Sequence, residues 1–333
     1  MFKFIDLFAG IGGFRLPLEE VGGSCVFSSE INKYCKTTYK TNFGEEPSGD
    51  IREIEASSIP SHDMLTAGFP CQSFSISGNQ GGFEDTRGTL FYEIARIAKH
   101  HQPRVLLLEN VKHLLHHNGG ETFEVIKRTL ENINYDVYHQ VMNASKYGVP
   151  QSRKRVFIVC FRKDLEISNF IFPEPTYEKV ALKDVLLPDE ETEEYVVNNI
   201  DVDWKEDVQL NLMRAKLKPI RIGTVNKGGQ GERIYDINGH AITLSAHGGG
   251  IFSKTGGYLV NGKTRKLAPR ECARLMGFPE DFKIPVSDAQ AWTQFGNSVV
   301  IPLVEKLMNK ILDTGVFEAV AISNTSERAG VNH

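Results

Sequence analysis

Phe4-Ile5-Asp6-Leu7-Phe8-Ala9-Gly10-Ile11-Gly12-Gly13-Phe14 is an apolar run that breaks into glycine, the pattern of a buried strand feeding a tight turn. Glycines let backbone amides approach a ligand, and the carboxyl end of a parallel strand is where open α/β sheets hold cofactors. Outward from this stretch, Ser24 to Ser29, Met64 to Ala67 and Val105 to Leu108 read as further buried strands. Helical stretches from Thr89 to Lys99 and from Thr122 to Asn132 separate them. Asp136 to Met142 and Val156 to Phe161 read as a strand pair joined by a turn holding Gly148 and Pro150. The β-α-β rhythm predicts an α/β fold with an open, largely parallel sheet and helices on both faces.

From about Asp184 to Ala268 the alternation stops, and glycine clusters at Gly228-Gly229, Gly248-Gly249-Gly250 and Gly256-Gly257 separate short β-type pieces. This predicts a smaller, irregular, β-rich module over 184–268, set between a main domain over 1–183 and a return to it over 269–333. The return opens with Pro269 before a helix from Arg270 to Met276, stopped by Gly277 and Pro279. A last helix carries Val300, Leu303, Val304, Leu307, Met308 and Ile311 on one stripe, with Asn297 or Ser298 as its cap and Pro302 in its first turn. It is expected to pack back on the first sheet, and the residues after about Ile322 read as a frayed tail.

With 333 residues, 41% hydrophobic and 24% charged, the chain has an ordinary globular composition, which excludes collagen, coiled coil and wholesale disorder. No apolar run approaches the ~18–20 residues of a membrane span. The first strand carries Asp6 and runs into glycines, unlike a secretory signal, so a cytoplasmic location is expected. Cys25, Cys35, Cys71, Cys160 and Cys272 are odd in number and have no C-x-x-C spacing, so neither a disulfide framework nor a zinc ribbon is indicated. The net charge of −4 conceals two blocks: ten acids against one base from Asp184 to Asp207, then eleven bases against two acids from Arg214 to Arg270. Such asymmetry can make one face attractive to phosphates. A solvated acidic linker beside a solvated basic surface is the plainer reading.

Glu30 ends the second strand about twenty residues past the first, where a carboxylate can accept from ribose hydroxyls. Together with the glycine turn it points to a nucleoside cofactor. The spacing Gly10-Ile11-Gly12-Gly13 is not G-x-G-x-x-G, so nicotinamide is the weaker choice, and the loop alone could be only a tight turn. Gly68-Phe69-Pro70-Cys71-Gln72 sets a thiol at the sheet's carboxyl edge. Glu109-Asn110-Val111 brings a carboxylate to the same edge, and period-two alternation along Gln151-Ser152-Arg153-Lys154-Arg155 sends Gln151, Arg153 and Arg155 to one face. A lone cysteine is more often a small buried hydrophobe. A thiolate, a carboxyl able to protonate a ring nitrogen and a guanidinium able to hold a carbonyl oxygen together suit addition to an electron-poor ring.

The Phe8-Ala9-Gly10 loop, Pro70-Cys71-Gln72, Glu109-Asn110-Val111, Gln151 to Arg155, Arg270-Glu271-Cys272-Ala273-Arg274 and Gly296-Asn297-Ser298 occur in the order that marks DNA (cytosine-5) methyltransferases. The chain resembles that family to about residue 312. The resemblance implies a Rossmann-like sheet that binds S-adenosyl-L-methionine, with the small module as target-recognition domain. It implies that Cys71 adds to C6 of cytosine, that Glu109 contacts N3 and the exocyclic amine, and that Arg155, supported by Arg153, holds O2. The cofactor would lie on Phe8, Gly10, Gly12 and Gly13, with Glu30 on the ribose, Asp50 and Ile51 near the adenine, and Pro70, Leu90, Asn297 and Ser298 closing the pocket. Ile31 stands where close relatives have Trp and is not assigned. The segments Lys227 to Tyr235 and Gly248 to Tyr258 resemble the recognition loops of GCGC-specific members.

That likeness implies double-stranded DNA as partner and a base flipped out of the duplex. Ser77 and Gln230 would fill the vacated space, Arg233 would read a guanine, and Tyr235, Lys254, Gly256 and Gly257 would complete the surface. Ile76 to Thr86, with Gly78, Gly81 and Gly82, reads as a lid. His247 stands where an aromatic residue is expected. The protein is expected to act as a monomer, with a restriction endonuclease of the same site as a possible companion that forms no stable complex with it. A transfer-RNA cytosine methyltransferase and a catalytically silent DNA-binding relative are the alternatives. His113 and His117, four apart without the glutamate of H-E-x-x-H, read as a helix end and not a metal pair. Trp204 reads as a cover for the edge of the small module.

Overall fold

Phe4, Ile5 and Leu7 are buried on both sides of Phe2–Leu7 (β1), so this strand lies inside the sheet and not at its edge. The computed structural model describes residues 1–70, 90–205 and 217–318; Cys71, Ser77, the lid over 76–86 and the tail lie outside them. With Gly23–Ser29 (β2), Met64–Gly68 (β3), Val105–Val111 (β4), Tyr135–Asn143 (β5) and Lys154–Arg162 (β6), β1 forms a six-stranded sheet in the order β2-β1-β3-β4-β6-β5. The first four strands are parallel. β6 runs antiparallel to both β4 and β5. The expected strands are all present, and β4 runs three residues beyond Leu108 because β6 pairs with it as far as Val111 opposite Arg155.

Alternate residues of each strand enter two cores on opposite faces. Phe2, Phe4, Met64, Leu107, Phe157 and Val159 lie on one side, and Ile5, Leu7, Leu65, Leu106, Leu108 and Ile158 on the other. The second face is covered by Leu90–His101 (α3) and Glu121–Asn132 (α4), through Phe91, Ile94, Ile126 and Leu130. The first face takes Arg15–Glu20 (α1) and Ile301–Leu312 (α7), so the last helix does return to the sheet. Its cap is different from expectation. Val300 precedes α7 without a side-chain cap, and Asn297 and Ser298 end a helix the hydrophobic pattern did not signal, Asp288–Asn297 (α6). Lys33–Phe43 (α2) was also unforeseen, although Asn32 caps it through the Tyr34 and Cys35 amides and Gly44 ends it at φ 77°.

The small module is a second sheet in the order β11-β10-β9-β8-β7, built from Asp203–Trp204 (β7), Ile220–Thr224 (β8), Arg233–Asp236 (β9), Gly257–Val260 (β10) and Lys263–Arg265 (β11). Ile222, Val225, Ile234 and Phe252 form its own core. Trp204 is half exposed and lies over Gly223, where a Cβ would meet the indole at 2.9 Å. β10 turns into β11 through Asn261 and Gly262, both at positive φ, the residue pair such a hairpin favours.

The return to the main domain is held by one carboxylate. Glu271, on the first turn of Pro269–Met276 (α5), accepts from Arg265 Nη1 at 2.8 Å and Nη2 at 2.7 Å. It also accepts the Ala268 amide at 2.8 Å and the Leu187 amide at 2.9 Å. Glu271 is fully buried and Arg265 nearly so. Removing one partner of such a pair strands a buried charge, so Glu271→Ala should cost about 3–5 kcal/mol of unfolding free energy in urea titrations. A loss below about 1 kcal/mol would mean that the pair holds nothing together.

Candidate active site

The active-site edge is formed where the parallel part of the sheet meets its antiparallel part. β4 carries Glu109 to the carboxyl edge opposite Gly68 of β3, where a Cβ would lie 3.7 Å from Glu109 Oε2. β6 runs the other way, and its second residue, Arg155, faces Val111 across the ladder. The guanidinium therefore returns over the carboxylate, with Arg155 Nε 2.9 Å from Glu109 Oε1. The contact is an ion pair off the angle of a hydrogen bond, and among the described residues Oε1 takes no hydrogen bond. Asn110, also buried, donates from Nδ2 to the Phe69 carbonyl at 2.8 Å and so fixes the chain leading to Pro70.

Gln151 departs from the expected alternation, whereas Arg153 and Arg155 line one cavity. β6 begins only at Lys154, because the preceding segment is recruited by the small module: Gln151 bridges Ala241 and the Ser152 amide donates to the Ala241 carbonyl. Gln151 Oε1 accepts the Leu244 amide, while its Nε2 donates to the Leu275 carbonyl. Arg153 is buried and donates to the carbonyls of Leu244 at 3.0 Å, Gly296 at 3.0 Å and Ser298 at 2.7 Å. The polar ends of both are committed to the backbone of two modules.

Beside Glu109 and Arg155 opens a cavity of about 620 Å³, the size of a nucleoside-type site. Of the cofactor residues read from sequence, Phe8, Gly10, Gly13, Glu30, Asp50, Ile51, Pro70, Leu90, Asn297 and Ser298 line it. Gly12 does not. It turns at φ +85° with Phe43 against it, where a Cβ would come within 2.3 Å of the ring. At Gly13 a Cβ would meet Ser298 Oγ at 2.6 Å. Glu30 accepts the Gly10 amide on Oε2 at 2.9 Å and the Asn32 amide on Oε1 at 2.7 Å. Each oxygen keeps a lone pair for a hydroxyl. The carboxylate of Asp50 is occupied by Arg52. Ile31 is an exposed apolar side chain on the wall.

A second cavity of about 240 Å³ lies in the small module, and Gln230, Lys254 and Gly256 line it. Arg233 is half-buried, donating from Nε to the Gly228 carbonyl at 3.2 Å. Tyr235 is buried against Tyr258, and Gly257 lies under the Phe252 ring. The expected recognition set is thus split between surface and core. His247 lines both cavities. Gln290, Thr293 and Gln294 of α6 complete the larger one, unannounced by any motif. His117 hydrogen-bonds Thr122 through Nδ1 at 2.7 Å, in keeping with a helix end.

Burial is the largest influence on Glu109 and raises its pKa above the usual carboxylate range, against the pull of Arg155 and Arg153. A raised folded-state pKa gives stability that is complete below the unfolded value and lost as pH rises through the folded one. Glu109→Gln cannot ionise. The wild type should therefore lose ground to this variant as pH rises above about 4.5, read as urea midpoints of the two proteins. Parallel pH profiles would mean that burial does not control this carboxyl.

Residues 2–313 match the family described as C-5 cytosine-specific DNA methylase. The chain is 54% identical to the type II methyltransferase M.HhaI of Haemophilus parahaemolyticus, over 93% of this chain and 94% of the relative. It is 46% identical to M.DsaV of Dactylococcopsis salina, over 93% and 86%. Its fold is similar to that of S. pombe Dnmt2 methyltransferase, with a TM-score of 0.70 at 19% identity, covering 96% of this chain and 99% of that one. The Entamoeba histolytica methyltransferase EhMeth gives 0.67 at 19%, covering 93% and 98%. A carboxylate and a guanidinium paired at the sheet's carboxyl edge beside a nucleoside-sized cavity agree with that match, and the chain belongs to the C-5 cytosine-specific DNA methylases.

Proposed function

We propose that the protein methylates C5 of the first, inner cytosine of GCGC in double-stranded DNA, as the modification enzyme of a type II system. The pairing of Glu109 with Arg155 beside the glycine-lined cavity carries this reading. S-adenosyl-L-methionine supplies an electrophilic methyl group when bound. The cavity suits it in shape and donor set: the Glu30 carboxylate for the ribose, apolar walls at Phe8, Ile31, Ile51 and Pro70 for the adenine, and a glycine backbone where side chains would collide. Residues 1–183 and 269–333 form the catalytic body in this proposal, and 184–268 the reader.

The sulfur of Cys71, as thiolate, forms a bond to C6 of the extruded cytosine, and the electron pair of the C5–C6 double bond moves to C5. Glu109, with its pKa raised by burial, gives its proton to N3 and accepts from the exocyclic amine. Arg155 holds O2, and Arg153 keeps Arg155 in place. C5 bonds the methyl group, which would leave its bonding pair on the sulfonium sulfur of bound S-adenosyl-L-methionine and release S-adenosyl-L-homocysteine; the C5 proton is then lost to solvent, its bonding pair re-forms the C5–C6 double bond, the Cys71 sulfur leaves as thiolate, and N3 returns its proton to Glu109. Ser77 and Gln230 fill the gap in the duplex, and Arg233 reads a guanine in the major groove.

The test is incubation of labelled S-adenosyl-L-methionine with plasmid DNA, followed by bisulfite sequencing, with Cys71→Ser alongside. Protection should map to the inner cytosine of GCGC. The variant should transfer nothing yet still bind cofactor. Labelling of transfer RNA in place of DNA, or normal turnover by Cys71→Ser, would overturn the reading. Arg233→Ala should lose about 1–3 kcal/mol of discrimination between GCGC and singly altered duplexes, measured as a ratio of kcat/KM; unchanged selectivity would place the reading elsewhere.

A further inference from the structure

Helix α6 belongs to both functional regions. Through Thr293, Gln294, Gly296 and Asn297 it lines the larger cavity, and Gln294 Oε1 accepts from Thr38 Oγ1 of α2 at 3.1 Å. The small module grips the same helix at both ends. At the last turn, Gly296 lies so close to that module that a Cβ would come within 2.5 Å of the Ala246 nitrogen. At the first turn, Lys254 reaches across from the glycine loop, its Nζ donating to the Ala289 carbonyl and to Thr293 Oγ1, both at 2.8 Å. Lys254 holds φ +73°, a conformation that lysine rarely adopts and that persists only where the surroundings enforce it. The adjoining loop residues Gly248, Gly249 and Ser253 line the second cavity.

The side chain expected to complete the DNA-reading surface is therefore turned onto a wall of the other cavity. We propose that Lys254 is a positioning residue, not a base reader: it ties the recognition loop to α6, so that cofactor occupancy and duplex binding tighten one another. This rests on the function proposed above. A duplex seated on the loop holds Lys254 in the contact it already makes with α6 and so firms the cavity wall at Thr293; a cofactor that firms α6 holds Ala289 and Thr293 under Lys254. Such coupling is reciprocal by linkage.

The test is the affinity for S-adenosylhomocysteine, measured calorimetrically with and without a GCGC duplex, for the wild type, Lys254→Met, Thr293→Val and the double variant. The wild type should bind at least about fivefold tighter with the duplex. Either single variant should bring that factor below about two, with the double variant no lower, as expected of one shared contact. Preference for GCGC over a singly altered duplex should survive in Lys254→Met. An undiminished factor in Lys254→Met, a wild-type factor near one, or sequence preference lost while the factor stays would each overturn the proposal. A wild type that binds cofactor but not duplex would overturn it together with the DNA reading.

Discussion

The antiparallel pairing of β6 with β4 is the constraint on which the site depends. In a wholly parallel sheet every strand end at the carboxyl edge is a carboxyl end, and a residue entering a strand lies at the opposite edge. Reversing β6 brings the beginning of a strand to that edge, so Arg155 arrives beside Glu109 from the strand next to it. The pairing is long, with seven residues from Val105 opposite Phe161 to Val111 opposite Arg155, and its interior is buried on both faces. A slip of one residue would turn every side chain of β6 to the other face and carry Arg155 away from its partner. The apolar cores thus set the register, and the register sets the ion pair.

The pair is held in a state that suits chemistry more than stability. A buried carboxylate next to one guanidinium would ordinarily stay ionised, with hydrogen bonds filling its lone pairs. Here Oε1 lies near Arg155 without a hydrogen bond, and burial prevails over the two arginines. Arg153 could have completed the pairing, but its terminal nitrogens are used on Leu244, Gly296 and Ser298. The proton-holding tendency of Glu109 follows from where the second arginine is directed as much as from the depth of the pocket.

The strands of the main sheet were legible because their apolar runs are bounded by glycine, proline and charge, and part of the cavity wall because the glycine turn and Glu30 both follow strands at the sheet's carboxyl edge. The small module was legible as irregular and β-rich from its glycine clusters. What failed to show was local amphipathy overridden by partners. α6 runs Asp288-Ala289-Gln290-Ala291-Trp292-Thr293-Gln294-Phe295-Gly296-Asn297 with little apolar stripe, because Thr293, Gln294 and Gly296 face a cavity, and Thr293 and Gly296 also receive Lys254 and Arg153. The alternation drawn through Gln151 failed for a similar reason: Ala241 and Leu244 of the small module claim its backbone and side chain before the strand begins, while Arg153 still reaches the cavity with Arg155. Tyr235 and Gly257 are buried because β9 and β10 are covered on both faces, Ile234 entering the module's own core while Tyr235 and Tyr258 enter the larger one.

The opposing charge blocks also acquire a physical sense. Acidic residues at the start of the small module lie against its basic hairpin: Lys263 pairs with Glu193, and Asn261 donates to Asp189. Part of the positive block is therefore neutralised at home, on the edge formed by β11. Arg265 is taken by Glu271 and Lys266 lies over the Trp292 ring. Arg233 stays half-buried and Lys227 exposed. In salt, charges separated by more than about 8–10 Å are largely screened, so the field at any one face of a chain of net charge −4 follows that face's own residues and not the total.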